Sequence, residues 1–270
     1  AISAKEGLDP WYDEDLRDFL GADEVLVLAA ALEVCAERDS RPADLIIHLL
    51  GHEDARIRAA AVAAMPRLES GTDLDLLCEF ARRSRGAAAL AAAEALGRTA
   101  LPNEAEHCLY DLLGREDWMV VRAALASLSS KEGHLADVRP ILAVLVNRRK
   151  AVEERLYGFI AMETTGTIPS RQIKRMLPNL HPILRLLGAR CLVTAGDRSG
   201  LPVLIGLLDT EESDTLDDEE VHCVRRGARS VLTEIAGEDL GADSEAWQRW
   251  YRKFADMAPI RLQTLAPTFW

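Results

Sequence analysis

Apolar residues recur at spacings of three and four through most of this chain, in short runs separated by polar turns. The pattern is clearest over 41–70, RPADLIIHLLGHEDARIRAAAVAAMPRLES. Leu45, Ile46, Leu49 and Leu50 fall on one face of a first helix. Residues 51–54 then form a turn, and Asp54 is placed to cap the next helix because its carboxylate accepts from free backbone N–H groups. Ile57, Ala61, Ala64 and Leu68 make the apolar stripe of that second helix.

The same reading predicts helix pairs at 11–20 with 23–38, 42–50 with 54–68, 74–82 with 86–99, and 104–113 with 117–129. It continues with 135–146 and 151–164, 169–179 and 182–195, and 201–208 and 219–236. A single helix at 244–256 closes the series. One hairpin cannot bury both of its stripes, whereas hairpins stacked in series can.

A landmark supports a repeat. An apolar residue followed by Arg opens many second helices: Ile57-Arg58, Val121-Arg122, Leu184-Arg185 and Val224-Arg225, with Glu154-Arg155 keeping the Arg alone. Successive Arg residues are 64, 33, 30 and 40 apart. The first step is two units of 32, and the skipped unit is the Ala-rich helix GAAALAAAEALGR, which lacks the mark. Three positions after the Arg stands a small residue in four cases: Ala61, Gly158, Gly188 and Ala228. Tight packing of helix on helix accounts for it.

Composition narrows the partners. The 270 residues carry a formal charge of −12, so a phosphate backbone is repelled overall and nucleic acid is disfavoured as a ligand. No apolar run reaches the length of about 18 residues that a membrane span needs. The opening AISAKEGLDP has no signal-peptide core, and with it goes the expectation of a cytoplasmic protein. Only five basic residues are Lys, the remainder Arg, which suggests a GC-rich bacterial gene. Cys35, Cys78, Cys108, Cys191 and Cys223 are odd in number and far apart, and no CxxC occurs. They read as reduced core residues in a reducing compartment.

The stretches LIIHLLGHEDARIRAAAVAAM, CLYDLLGREDWMVVRAALASL and LPVLIGLLD…DDEEVHCVRRGARSVLTEIAG resemble the HEAT-repeat family, in particular the short bacterial type first noted in phycobilin lyases. The resemblance covers most of 23–236. It implies an all-α fold, a right-handed α–α superhelix of HEAT/armadillo type with about seven helix pairs and a C-terminal capping helix. The expected layout is one solenoid domain over 1–270: an extension at 1–10, helix pairs at 11–236, a capping helix at 243–257 and a tail at 258–270. EDLGADSEAWQRWY is similar to the closing helix of many bacterial HEAT arrays, and Trp247, Trp250 and Tyr251 share the face that would cover the last pair.

The expected function is that of a non-enzymatic scaffold holding a protein partner on the concave face of the solenoid. Its candidate contacts are the Arg row (Arg58, Arg122, Arg155, Arg185 and Arg225), Trp118 in an interhelix turn, and Asp214, Asp217 and Asp218 of the acidic segment DTEESDTLDDEE, in which eight of twelve residues are acidic. Each candidate has a plainer reading. The arginines could bond an Asp or carbonyl of the adjacent turn, Trp118 could lie over the next repeat, and the acidic segment could be a flexible solvated loop. No catalytic, cofactor-binding or metal-binding residue is assigned. His52-Glu53 is a single dyad, where HEAT-like di-iron hydroxylases carry several, and HExxH, GxxxxGK[ST], GxGxxG and GxSxG do not occur. The alternatives implied by resemblance are a subunit similar to HEAT-type bilin lyases and, against the acidic balance, a protein similar to HEAT-like alkylpurine glycosylases.

Overall fold

The computed structural model describes residues 18–21, 24–37, 42–65, 71–99, 102–130, 134–213 and 216–254. Among them the fold is all-helical, and β-type pairing is confined to an isolated antiparallel bridge between Ser213 and Leu216. The predicted helix at 11–20 is described only at 18–20. Leu68, the end of the closing helix beyond 254, the extension 1–10 and the tail 258–270 lie outside the described residues. The chain divides into two compact units, Ala1–Lys131 and Glu132–Trp270.

In the first unit the helices are α1 (Val25–Glu37), α2 (Ala43–Leu49), α3 (Ala55–Ala64), α4 (Gly71–Arg83), α5 (Gly86–Arg98), α6 (Pro102–Leu112) and α7 (Trp118–Ser129). Their ends follow local chemistry. The Asp54 carboxylate accepts from the Arg56 N–H at 2.8 Å and opens α3, and Asp117 does the same for α7 through the Met119 N–H at 3.1 Å. Ile57, Ala61 and Ala64 of α3 are fully buried, as their spacing predicts. On α2 the buried face is Ile46, Ile47 and Leu49, followed by Leu50, while Leu45 is half-buried. The α2 stripe is thus rotated slightly from the expected one.

These helices pack in two rows. α1, α3, α5 and α7 touch in series, α2, α4 and α6 touch in series, and α2–α3, α4–α5 and α6–α7 pair as hairpins. Short side chains let α5 and α7 cross closely. The buried residues of α5 are Ala89, Ala91, Ala92, Ala93, Ala95 and Leu96. A Cβ on Gly97 would collide with Ser127 of α7, whose hydroxyl donates to the Ala93 carbonyl at 2.9 Å.

The second unit holds α8 (Arg139–Val146), α9 (Val152–Thr164), α10 (Ser170–Met176) with a 3-10 turn at Leu177–Asn179, α11 (Pro182–Thr194), α12 (Gly200–Leu207), α13 (Asp218–Ala236) and α14 (Ser244–Phe254). α9, α11 and α13 form one row, and α8–α9, α10–α11 and α12–α13 form hairpins. Gly158 faces Ile141 and Leu145, and Gly188 faces Leu177 and Phe159, both too closely for a free Cβ. The small residues after the Arg landmark are therefore packing residues. α13 ends at Gly237, whose φ of 73° is left-handed and favours glycine.

The closing helix α14 packs on α12. Trp247 is fully buried in a cluster with Leu204, Leu208, Val224 and Leu232. Its indole Nε1 donates to the Gly241 carbonyl at 2.9 Å, and the Trp250 ring meets it edge-on at 5.7 Å. Trp250 and Tyr251 pack partly buried against the same cluster, so the shared aromatic face caps the last hairpin as expected.

Candidate functional site

The arginine row is mainly structural. Arg58 of α3 donates to the carbonyls of His52 and Glu53, at 2.8 and 2.7 Å. In α9, Arg155 donates from Nε to the Leu145 carbonyl at 2.7 Å, and in α13 Arg225 donates to the Thr210 carbonyl at 2.7 Å. All of these acceptors lie at or just beyond the C-terminus of the preceding helix of the same hairpin. The Leu145 carbonyl is one of the last of its helix, and such carbonyls have no partner within it and carry partial negative charge; those of His52, Glu53 and Thr210 are turn carbonyls that the guanidinium satisfies in the same way. Arg155 is only 6% exposed, and burial, followed by the charge of Arg148, pulls its pKa below the usual arginine value. Arg185 differs: its Nε is buried with no acceptor among the described residues, and the helix before it ends instead in the 3-10 turn, closed by Leu180 N–H to Leu177 O.

The hairpin that lacks the landmark obtains the same contact from elsewhere. Arg115, in the turn before α7, donates to the carbonyls of Ala81 and Ser84 at 2.9 Å and to that of Arg82. Those are the final carbonyls of α4. Sequence reasoning missed Arg115, although the absence of the landmark Arg from the start of α5 was the signal that another donor was needed.

Arg122 is exposed and lies over the Trp118 ring, 5.8 Å from its centroid, one helical turn away. Trp118 is 44% exposed and its neighbour Met119 is 46% exposed. Asp117 fixes this corner by capping the helix. Two large apolar side chains and a guanidinium therefore stand together at the start of α7. Leu26, on α1, is more exposed still at 79%.

The acidic segment is exposed at 211–213 and tied down on either side of 214–215. Ser213 and Leu216 exchange two backbone hydrogen bonds at 3.1 Å, and Leu216 is buried. Asp217 caps α13 by accepting from the Glu220 N–H at 2.8 Å, while Glu220 accepts from the Asp217 N–H at 3.2 Å. Asp217 is thus a helix cap, and Asp218 is exposed in the first turn. Asp214 lies outside the described residues.

His52 is engaged in its own turn, its Nδ1 accepting from the Asp54 N–H at 3.0 Å. Among the described residues no group of three or more His, Cys, Asp or Glu side chains is placed to hold a metal ion. An open recess on α13, lined by Arg226, Arg229, Ser230, Thr233, Glu234 and Asp239, is crossed by the Arg229–Asp239 pair. Arg229 and the Gly241 N–H hold the Asp239 carboxyl down to about 2. The second unit also buries an ion pair: Arg190 donates to Glu163 at 2.8 Å, and the Thr194 hydroxyl donates to the same oxygen at 3.3 Å. Burial raises the Glu163 carboxyl above its ordinary value against the pull of these partners.

The cysteine reading requires correction. Cys78 and Cys108 form a disulfide with their Cα atoms 5.6 Å apart. α4 and α6 are neighbours in one row, and the bridge joins residues 30 apart across them, close to the step of 32 expected between units. Cys35, Cys191 and Cys223 are not disulfide-bonded. Burial raises the Cys191 thiol well above its usual value, so it is held as the neutral thiol. No helix is long and apolar enough to cross a membrane among the described residues.

No family model matches this chain, and no curated protein matches it. Among solved structures it is similar to an engineered protein determined by the Northeast Structural Genomics Consortium, with 19% identity, 82% of this chain and 97% of that chain covered, and a TM-score of 0.39.

Proposed function

We propose that the chain is a non-enzymatic protein-interaction scaffold of the HEAT-repeat type, its hairpins stacked as an α-solenoid that presents the row of second helices to a protein partner. The observation that carries this reading is the corner of α7. Trp118 and Met119 are large, apolar and exposed on a rigid helix start, and Arg122 lies on the indole. Exposed Trp and Arg held in fixed geometry are the residue types that anchor interfaces. Arg58, Arg155 and Arg225 are occupied by backbone carbonyls, so the partner-binding set contracts to Trp118, Met119 and Arg122. The reducing-compartment reading took all five cysteines as reduced, and the Cys78–Cys108 bridge removes that ground.

The test is site-specific photo-crosslinking. A photoreactive residue at Met119 of the full chain, exposed to extract from the source cells, is expected to capture a discrete protein, with the yield falling at least tenfold in Trp118→Ala. Capture of nothing, or capture indifferent to Trp118→Ala, overturns the assignment.

A further inference from the structure

We infer that the Cys78–Cys108 disulfide is a redox lock on the first unit alone: a covalent staple that holds α4 against α6 where both rest on an alanine-rich helix. This stands apart from the scaffold reading. α5 pairs with α4 and touches α6, yet its buried residues are five alanines and one leucine. Each methylene missing from such a face forgoes hydrophobic stabilisation. α4 and α6 therefore share a poor apolar support, and the bridge joins these two helices. The loop it closes spans 30 residues and contains all of α5.

Both sulfurs are enclosed, with Cys78 2% and Cys108 5% exposed. A reductant cannot reach them until α4 parts from α6, so the bridge behaves as a lock and not as a fast sensor. A dithiol supplies the two electrons that open it. One thiolate of the reductant attacks a bridge sulfur and forms a mixed disulfide. The second thiol then closes the reductant into its own disulfide. Cys78 and Cys108 leave as two thiols, having gained two electrons and two protons. The second unit holds Cys191 and Cys223, neither of them bridged, and offers a reductant nothing to cleave among its described residues. In a loop-closure account, removing a crosslink of this span shifts the unfolding equilibrium on the order of several hundred-fold.

Two measurements on the full chain, refolded with a glutathione redox pair, test the inference. Alkylation in guanidinium without reductant is expected to label three cysteines, Cys35, Cys191 and Cys223, and to label five after dithiothreitol. Hydrogen exchange followed by mass spectrometry is expected to show dithiothreitol accelerating exchange in α4, α5 and α6 by at least tenfold while α9, α11 and α13 stay unchanged. The double variant Cys78→Ser, Cys108→Ser should reproduce the reduced pattern and no longer respond to dithiothreitol. Five cysteines labelled without reductant would overturn the inference, and so would reduction that leaves α4–α6 unchanged or loosens both units equally. The labelling count stands even where the double variant fails to fold.

Discussion

Arg115 reaches back from the turn before α7 to the carbonyl of Ser84, 2.9 Å away and 31 residues earlier in the chain. With the Ala81 and Arg82 carbonyls it closes the end of α4. Arg155 performs this service inside its own hairpin, Arg58 and Arg225 bond turn carbonyls inside theirs, and Arg115 serves its neighbour. Replacing it strands several helix-end carbonyls at once. Arg115→Ala is expected to destabilise the first unit by about 1.5–3 kcal/mol, the range for hydrogen bonds to a charged donor. Arg115→Lys should recover little, because an ammonium lacks the planar fork. Equilibrium denaturant unfolding of both variants provides the check.

The row contains residues of unequal weight. Arg155 is buried on the Leu145 carbonyl, and Arg122 is exposed over Trp118. Arg155→Ala should lower stability by about 1–3 kcal/mol, while Arg122→Ala should stay within about 0.5 kcal/mol. Thermal and urea unfolding of the pair would expose a reversed order.

The buried Glu163–Arg190 pair makes a pH signature with a definite sign. Burial lifts the Glu163 carboxyl above its ordinary value of 4.5. Between that value and the raised one, the folded chain binds more protons at this site than the unfolded chain. The Glu163 contribution therefore weakens as pH rises through that window, and Glu163→Gln should flatten this part of the stability profile. Arg190→Met removes the cation and leaves a buried carboxylate, a loss of about 3–5 kcal/mol that Glu163→Gln in the same chain should largely restore.

At lower pH two carboxylates paired with arginine act in the opposite direction. Asp54 is held down to about 2 first by the Arg56 guanidinium and then by the Arg56 N–H, and Asp239 is held to about 2 by Arg229. Their stabilisation is present above the ordinary carboxyl value near 3.8 and disappears as pH falls toward 2. Asp54→Asn and Asp239→Asn should each make the acid limb of a circular-dichroism titration shallower. An unchanged limb in both would show that other carboxylates govern acid unfolding.

Trp247 holds α14 on the last hairpin. Trp247→Ala empties a fully buried site and should lower the stability of the second unit by about 3–5 kcal/mol. Exchange of amides in α12 and α14 should rise first.

Much of the helix order was legible because period and caps agreed. Asp54 and Asp117 begin helices where side-chain chemistry predicts, and Trp247 is buried where a shared aromatic face predicts. What stayed hidden depends on neighbours in space. The Arg landmark could be read as a repeat, but its acceptor carbonyls are fixed by how a hairpin closes. The Cys78–Cys108 pairing needed the level at which α4 meets α6, and its visible hint was a 30-residue separation close to the repeat length. In the acidic segment the hint was a lone Leu216, which is buried and anchors the charged residues around it. The corner at Trp118 was visible as an odd residue in a turn, while its exposure and its partner Arg122 came only with the fold.

Gly97 against Ser127 brings α5 and α7 together backbone to side-chain stem, with no long side chain between them to change rotamer. Such a crossing works like a dowel. It fixes the spacing of these two rods, because anything bulkier than hydrogen at position 97 would have to displace Ser127 or push α7 away.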